Sequence, residues 1–478
     1  MEVHNMSSSS KAGQRILSVL DENSFVEIGA LVTARSTDFN QKPEKAASDG
    51  VITGYGTIDG SLVFIYSQDS AVLGGSVGEM HAKKIANIYE MAIRNGAPII
   101  GLLDSTGLRL QEATDALNAF GILYAEAAKA SGVIPQITAV FGSCGGGLSV
   151  LNSMSDFSYM AEDAKLFVSA PNTLAGNTEE KNDTAKAALK AQLGSVDEAL
   201  PEAELLAKIR LLAGYLPSNN EDEALVECMD DLNREVPVFA SNIADPAQAL
   251  TDLADDGIVI ETKKDYAKEM VTAFIKLNGA TVGVVANRSK VYDENAEVAE
   301  SFETVLTRNG AYKAVKFIDF CDSFEIPVVT LTNVTGFDAT VSGENGLDIA
   351  AAKLAAAFAD ATVPKVNVIV GSAVGSAYTV MNSKALGADI TFAVPDAKIA
   401  LMDAKIAAQI IGDGKSADEV AEIRKSYEAL QNGIESAAAH GYVDQIVPAS
   451  DLRKYLIGAL EMLYTKREDR PAKKHGTV

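Results

Sequence analysis

The chain repeats itself at a constant spacing, and this repetition limits its possible folds more than any other feature. Pro98 and Pro327 each open an apolar run, and they lie 229 positions apart (327 − 98). Gly107 and Gly336 each follow a threonine beyond that run, and the same 229 positions separate them (336 − 107). Matches in the same order at one spacing are typical of a duplicated fold.

Two further matches extend the repeat toward the C-terminus of each copy. Gly142 and Gly371 each begin a Gly-Ser-x-x-Gly segment, again 229 positions apart (371 − 142). The triplet Asp163-Ala-Lys165 recurs as Asp396-Ala-Lys398 after 233 positions (396 − 163), which is a slip of four residues. The four matches together predict two copies of one fold in tandem.

Apolar runs alternate with segments of helical periodicity in both copies, which predicts an α/β fold. An acidic, proline-punctuated region separates the copies, so we predict one domain at 1–235 and another at 236–478. The sequence Asp59-Gly60-Ser61 between two β-rich runs predicts a hairpin. The predicted helices are 11–20, 79–94, 117–129, 195–212, 310–324 and 350–360, and the predicted strands are 51–58, 62–67, 97–103, 137–141, 280–286, 326–331 and 365–370.

Bulk properties exclude several classes of function. A chain of 478 residues is long enough for two domains with sizeable cores. Its net charge of -24 argues against non-specific binding to nucleic acid. The beginning of the sequence lacks the apolar segment of a signal peptide, and no run of about 18 apolar residues exists to span a membrane. Three scattered cysteines predict a reducing compartment and no metal site, so we expect a cytoplasmic protein.

The glycine-dense turn from Gly142 to Gly147 carries the first candidate site. An apolar strand enters this turn and a short helix is predicted from Leu148. Backbone N–H groups at such a helix start lack partners within the helix, so they can bind an anion or a carbonyl oxygen that becomes negative. The alternative is a tight connection that needs glycine only for positive φ. Because Gly371 to Ala377 repeats the turn, the sequence predicts a chain that holds two carbonyl-like groups.

Side-chain nucleophiles offer weaker alternatives. The segment Gly74-Gly-Ser-Val-Gly78 has the spacing of a nucleophile elbow, but a serine hydrolase also needs a base. His81 lies five residues after Ser76, which is a poor helical neighbour, and the other histidines are His4, His440 and His475. Cys144 could be a thiolate at a helix start, although core packing is favoured because no basic residue is near it in sequence.

Arg109 is a candidate ligand contact. It belongs to the segment from Asp104 to Glu112, which follows a predicted strand at the edge where α/β proteins bind ligands. Its guanidinium could contact an acidic ligand, or it could form a solvated surface pair with Glu112. The sequence leaves both interpretations open.

Taken together, the motifs resemble the carboxyltransferase subunits of biotin-dependent acyl-CoA carboxylases and decarboxylases. Within this family, the chain is most similar to the propionyl-CoA carboxylase β subunit and the methylmalonyl-CoA decarboxylase α subunit. The resemblance extends from about residue 15 to about residue 447 of this chain. The resemblance depends on Ser67-Gln-Asp69, Gly74-Gly-Ser76, His81-Ala-Lys-Lys-Ile85, Asp104-Ser with Arg109, Gly142-x-Cys144-x-Gly146-Gly147, Gly336-Phe337, Ala361-Thr-Val-Pro-Lys365 and Ala377-Tyr378.

The resemblance implies two crotonase-like domains and a transfer of CO₂ between carboxybiotin and the α-carbon of an acyl-CoA. It implies that the N–H groups of Gly146 and Gly147 stabilise the enolate, and that those of Ser376 and Ala377 hold the ureido oxygen of biotin. No side-chain base is then required, since the biotin ring takes the proton. Residues implied in binding the CoA thioester or biotin are Ser67, Gly74, Gly75, Ser105, Gly107, Arg109, Cys144, Gly145, Gly336, Phe337, Gly375 and Tyr378.

The same resemblance implies the partners. Biotin would arrive on a separate carrier protein, with a biotin carboxylase or a membrane decarboxylase subunit as a further partner. The chain would form a dimer or hexamer, with sites between the N-domain of one copy and the C-domain of another. Where the family usually has R-K-A-Y-G-G-A, this chain has Gly371-Ser-Ala-Val-Gly-Ser-Ala377. This departure keeps two alternatives open: a biotin-independent crotonase-like decarboxylase or hydrolase, and a non-catalytic scaffolding subunit.

Overall fold

The computed structural model divides the chain into two compact units, Met1–Ala224 and Leu225–Val478. It describes residues 9–35, 46, 48–176, 183–293, 295–431 and 433–478. The division between the units falls before the predicted boundary at residue 235, and the predicted domain limits remain a prediction. Among the described residues, no helix is both long and apolar enough to cross a membrane.

The first unit is built on a seven-stranded sheet in the order β1-β2-β3-β4-β5-β7-β9. The first three strands pair antiparallel, and every pairing from β3 onward is parallel. The short strands β6 and β8 pair only with each other. The elements are α1 (Lys11–Val19), β1 (Val26–Glu27), β2 (Val51–Ile58), β3 (Ser61–Gln68), α2 (Glu79–Asn95), β4 (Ile99–Leu103), α3 (Ala113–Ala130), β5 (Gln136–Val140), β6 (Ser143–Gly145), α4 (Gly147–Ser153), β7 (Phe157–Ala161), β8 (Lys165–Phe167), α5 (Ala187–Gln192), β9 (Glu198–Leu200) and α6 (Glu202–Ala213).

The second unit contains an eight-stranded sheet whose main path is β10-β11-β12-β16-β18-β19-β21, with β20 paired to β18. The elements are α7 (Phe239–Asn242), α8 (Pro246–Leu253), β10 (Ile260–Thr262), β11 (Met270–Leu277), β12 (Ala280–Asn287), β13 (Lys290–Tyr292), β14 (Val298–Ser301), β15 (Val305–Leu306), α9 (Arg308–Ser323), β16 (Val328–Val334), β17 (Gly336–Phe337), α10 (Val341–Glu344), α11 (Leu347–Asp360), β18 (Lys365–Val374), α12 (Gly375–Val380), β19 (Ile390–Ala393), β20 (Lys398–Ala400), α13 (Ala404–Ile411), α14 (Ala417–Gln431), α15 (Ile434–Ala439), β21 (Gln445–Ile446) and α16 (Leu452–Leu463).

The two sheets have the same strand order and the same strand directions, which confirms the predicted α/β duplication. In the second unit the first three strands also pair antiparallel and the rest parallel. The registers agree as well: Ile99 pairs with Gln136 in the first unit, and Val328 pairs with Lys365 in the second. Both members of the pair are shifted by 229 positions (328 − 99 and 365 − 136), so the sequence repeat is a structural one.

Burial explains why the central strands are apolar throughout. All five residues of β4 and all five of β5 are buried, as expected for parallel strands covered on both faces. In the second unit, apolar residues of α8 and α16 pack with the sheet in one hydrophobic cluster. Each central strand therefore ends in a fixed position, which also fixes the loops that follow it.

The structure differs from the sequence analysis in three places. The predicted helix at 195–212 is wrong in its first part, because Glu198–Leu200 forms the edge strand β9 and the helix begins only after Pro201. The strand β6 within the glycine turn was not predicted. The connection from β12 to α9, at 288–307, is also longer than its counterpart at 69–78, and it holds the hairpin of β13 and β14.

The two sharp hairpins provide a matched test of the packing. Gly60 and Gly279 both have positive φ (84° and 77°) at the turns β2–β3 and β11–β12. A Cβ on Gly60 would meet nothing within 4 Å, whereas one on Gly279 would lie 1.9 Å from the carbonyl oxygen of Val226. We expect Gly60→Ala to cost about 1 kcal/mol of unfolding free energy, and Gly279→Ala clearly more. Urea unfolding of both variants measures this, and equal losses would contradict the packing described.

Candidate functional site

Loops that follow β3 and β4 are packed tightly against each other in the first unit. The N–H of Thr106 donates to the carbonyl of Gly74 (3.0 Å), and the N–H of Val77 donates to the carbonyl of Gly107 (2.8 Å). Gly75 has φ of 62°, and a Cβ there would lie 2.3 Å from the carbonyl oxygen of Asp104. The structure therefore brings the predicted residues Gly74, Gly75 and Gly107 together. Ser105 belongs to the same segment, between Asp104 and Thr106, which both contact the glycines of the other loop.

The glycine turn lies beside these loops. Gly107 approaches it closely, since a Cβ on Gly107 would lie 3.6 Å from the carbonyl oxygen of Gly145. Gly146 has φ of 60° and ψ of −127°, a conformation that favours glycine, and α4 begins at the next residue. The N–H of Gly147 has no acceptor among the described residues. This N–H is therefore available to a ligand at the start of the helix.

Gly146 requires a correction to the predicted donor pair. Its N–H donates to the carbonyl of Phe167 at 2.9 Å, which continues the pairing of β6 with β8. This N–H is therefore occupied within the protein and is not free for a substrate oxygen. The role of Gly146 in the structure is to turn the chain into the helix.

The second unit contains the same turn. Gly375 has φ of 63° and lies 229 positions after Gly146 (375 − 146), at the junction of β18 and α12. Ser376 is exposed and Ala377 is buried. Their positions in the first unit are 147 and 148, so the equivalent N–H donors there belong to Gly147 and Leu148. The two predicted donor pairs were one residue out of step with each other.

Arg109 pairs with Glu112, as one of the two interpretations expected, but the pair is buried and not solvated, and the side chain is not open to a ligand. It is 1% exposed and forms ion pairs with Asp49 (2.5 Å) and Glu112 (2.9 Å), while its Nη2 donates to the carbonyl of Ser76 (2.6 Å). Burial raises the pKa of Asp49, and the guanidinium of Arg109 opposes that shift. Arg109 thus joins the loops around Ser76 and Glu112 instead of binding substrate.

The hydrolase alternative finds no support in the geometry of its residues. The Ser76 hydroxyl donates to the carbonyl of Leu73 and accepts from Arg109 Nε. His81 is buried, with Nδ1 at 2.9 Å from the Asp49 carbonyl and Nε2 at 3.1 Å from the Gln68 amide. Burial lowers the pKa of His81 to about 3, so the imidazole is neutral. Both groups are structural, and His4 lies outside the described residues.

Two further predicted contacts have buried side chains. Cys144 is fully buried in β6, and burial raises the pKa of its thiol to about 12, so it is no thiolate nucleophile. Ser67 is fully buried in β3, and its hydroxyl has no hydrogen-bond partner among the described residues. Both side chains are buried in the interior, so any part that Ser67 and Cys144 take in binding remains a prediction for their backbone.

A polar relay beneath each turn was missed by the sequence analysis. In the first unit, Gln68 Oε1 accepts from the N–H of Asp104 (3.2 Å), and Arg15 pairs with the Asp104 carboxylate (2.8 Å). A Cβ on Gly142 would lie 2.3 Å from Asp104 Oδ1, so glycine makes this approach possible. The Arg15 guanidinium also lies 4.1 Å from the centre of the Phe141 ring.

The second unit has a related network of neutral residues, and this network extends to the backbone of the turn. Asn287 Oδ1 accepts from the N–H of Asn333 (3.0 Å), and Asn333 Oδ1 accepts from the N–H of Ser372 (3.0 Å). Asn333 lies 229 positions after Asp104 (333 − 104), so an amide replaces the carboxylate. A pairwise comparison of the two repeats could have found this relay.

Gly336 and Phe337 lie close to α12, the helix that carries Tyr378. Gly336 and Phe337 form β17, which pairs with β15. Val305 of β15 and Asp338 line an open cavity of about 660 Å³. Tyr378 is partly buried against an apolar cluster, and burial raises the pKa of its phenol to about 12. The residues that line this cavity do not include Gly336, Phe337 or Tyr378, so their role in binding biotin stays a prediction.

Comparison with known proteins identifies the relatives of this chain. The carboxyl transferase domain family matches residues 6–478. The propionyl-CoA carboxylase beta chain of Roseobacter denitrificans is 40% identical, over 98% of this chain and 93% of its own. The methylmalonyl-CoA decarboxylase subunit alpha of Veillonella parvula is 38% identical, over 98% and 92%. The hexameric transcarboxylase 12S crystal structure, with hydrolysed methylmalonyl-CoA bound, is 34% identical with a TM-score of 0.89, covering 100% of this chain and 94% of that one.

Replacing Arg109 separates a structural role from a ligand contact. Arg109→Ala leaves the Asp49 and Glu112 carboxylates buried without their cation, so we expect a loss of about 3–5 kcal/mol in unfolding free energy. Arg94→Ala is the control, because that side chain is 76% exposed in an i,i+4 pair, and we expect a change below about 0.5 kcal/mol. Denaturant unfolding measures both. An Arg109→Ala protein of unchanged stability with a raised KM for acyl-CoA would contradict the structural role.

Proposed function

Because the chain belongs to the carboxyl transferase family, we propose that it is a carboxyltransferase subunit. It moves a carboxyl group between biotin on a separate carrier and a short-chain acyl-CoA of the propionyl- or methylmalonyl-CoA type. The observation that carries this proposal is the duplicated turn, in which a positive-φ glycine precedes helix N–H groups in both units. Each turn then holds one of two carbonyl oxygens, that of the thioester or that of the biotin ureido group, while the carboxyl group moves between the α-carbon and the biotin ring nitrogen.

The first unit's turn suits the thioester oxygen. Removing a proton from the α-carbon, or CO₂ from a carboxylated one, places negative charge on that oxygen, and preorganised N–H donors stabilise such charge. The Gly147 N–H lacks an acceptor among the described residues. In front of the turn a Cβ on Gly146 would meet nothing within 4 Å, so a substrate can approach. We assign Gly147, with Leu148 beside it, as the donor pair.

The second unit's turn suits the ureido oxygen of biotin. When bound, biotin supplies the carboxyl group and a ring nitrogen that can take the substrate proton. Ser376 and Ala377 present backbone N–H groups after Gly375, and an oxygen acceptor is the partner such donors prefer. The basic side chains usual in the family are missing from Gly371 to Ala377, yet the backbone of the turn matches that of the first unit. This match favours retained biotin chemistry over a biotin-independent enzyme or a scaffold.

Assembly and location follow from the same reasoning. We propose a homo-oligomer, on the likeness to the hexameric transcarboxylase 12S. We place the reaction in the cytoplasm, because the three cysteines are all free thiols, as in proteins of reducing compartments. A biotin carrier must therefore meet the chain there, alone or joined to a carboxylase or decarboxylase subunit.

Carboxyl transfer from a carboxylated biotin carrier to propionyl-CoA tests the proposed function. We expect labelled carboxyl to appear in methylmalonyl-CoA only when the carrier is biotinylated, and the reverse transfer to require it equally. Decarboxylation of methylmalonyl-CoA without any carrier would instead support the biotin-independent enzyme. Binding of neither acyl-CoA nor carrier would support the scaffold and contradict the proposal.

A matched pair of variants at Gly147 tests the donor assignment. A Cβ at this position would lie 2.7 Å from Tyr124 Oη, so any side chain disturbs the packing on α3. Gly147→Ala keeps the N–H, whereas Gly147→Pro removes it at the first helical position, which tolerates proline. We expect Gly147→Pro to be about 10²–10³-fold slower in kcat than Gly147→Ala. Equal rates for the two variants would remove Gly147 from the catalytic donors.

A further inference from the structure

The two short strands at the glycine turn have one buried face and one open face. In β6 and β8, Cys144 and Leu166 are register partners and are 0% and 3% exposed. Neighbouring side chains of a strand point to opposite faces. The next pair, Gly145 and Phe167, therefore faces away from the core, and the Phe167 side chain is partly exposed.

The Phe167 ring covers the backbone of the turn on this open face. A Cβ built on Gly145 would lie 2.4 Å from Cε2 of the ring, so only glycine permits the contact. The carbonyl of Phe167 also accepts a hydrogen bond from the N–H of Gly146, and this bond holds the backbone of Phe167 beside the turn. The Gly147 donor is two residues beyond the glycine that the ring covers. An apolar surface therefore flanks the place assigned to the thioester oxygen.

The second unit fills the same place in a different way. There Val374 pairs with Ala400, at the positions equivalent to Gly145 and Phe167. The pairs before them agree closely, since Ser143 with Lys165 corresponds to Ser372 with Lys398. In the first unit the larger side chain of the pair belongs to the second strand, as Phe167, and in the second unit it belongs to the first strand, as Val374. Of these two pairs, only that of the first unit contains an aromatic ring. A ring extends further than the methyl groups of valine.

We propose that the Phe167 ring is the wall of the acyl subsite and sets its upper limit of chain length. This inference depends on the proposed function, because it assigns the acyl thioester to the first unit's turn. A short acyl group fits beside the ring, whereas a chain several methylenes longer collides with it. Phe167 is therefore a specificity-determining residue that selects short-chain acyl-CoA substrates.

Shortening this side chain tests the proposal. One methylene in an apolar pocket changes kcat/KM by about 10–200-fold. We expect Phe167→Ala to raise the ratio of kcat/KM for hexanoyl-CoA to that for propionyl-CoA at least about tenfold, and Phe167→Leu to raise it less. The double variant Gly145→Val with Phe167→Ala copies the second unit's pair, and it should bring the ratio back toward the original value.

A control variant and a control substrate series separate specificity from stability. Leu166→Ala removes a core side chain from the same strand, so it should lower stability and leave the chain-length ratio unchanged. If Phe167→Ala and Phe167→Leu transfer carboxyl to propionyl-CoA with an unchanged ratio, the wall assignment is wrong and the proposed function stands. If the unaltered protein transfers carboxyl to no acyl-CoA of any length, the proposed function fails and the wall assignment fails with it.

Discussion

An α-helix leaves its first N–H groups without partners inside the helix, and each unit places such a helix at the end of the glycine turn that follows a parallel strand of its sheet. Gly146 and Gly375 make this possible, because their positive φ turns the chain within one residue. A side chain at either position would strain the backbone. The sheet fixes where the strand ends and the glycine fixes where the helix begins. The donors of both turns are therefore held in place before any ligand arrives, which is the property that electrostatic catalysis requires.

The two units support this shared geometry with different chemistry. The first unit uses charge, with Arg15 paired to Asp104 and Arg109 paired to Asp49, and both arginines are buried. The second unit places Asn333 where the first has Asp104, so its relay needs no counter-ion there. At the first turn the Phe167 ring lies against Gly145, whereas the second unit has Ala400 and Val374 at these two positions. Duplication thus preserved the backbone of the turn while the surrounding side chains diverged.

Much of the fold could be predicted from the sequence, because it depends on local signals and on the repeat. The apolar runs of β4, β5, β16 and β18 and the constant spacing of their prolines and glycines predict the strands and the duplication. The function of individual side chains could not be predicted, because it depends on burial across long sequence distances. In the sequence, Arg109 is a charged residue in a loop after a strand, which is typical of a ligand contact. In the structure, an ion pair with Asp49, sixty residues earlier, holds it in the interior. Gly146 lies at the start of a helix, where a free N–H donor is expected, yet its N–H donates to the carbonyl of Phe167.

The account requires that the thioester oxygen accept hydrogen bonds from backbone N–H groups at the first turn. The carbonyl stretching frequency of propionyl-CoA labelled with ¹³C at the thioester, compared between free and bound states by difference infrared spectroscopy, tests this most directly. The account predicts a lower frequency in the complex than in water, and a return toward the free value in Gly147→Pro but not in Gly147→Ala. A bound thioester with the frequency of the free one, in a protein that still transfers carboxyl, would contradict it.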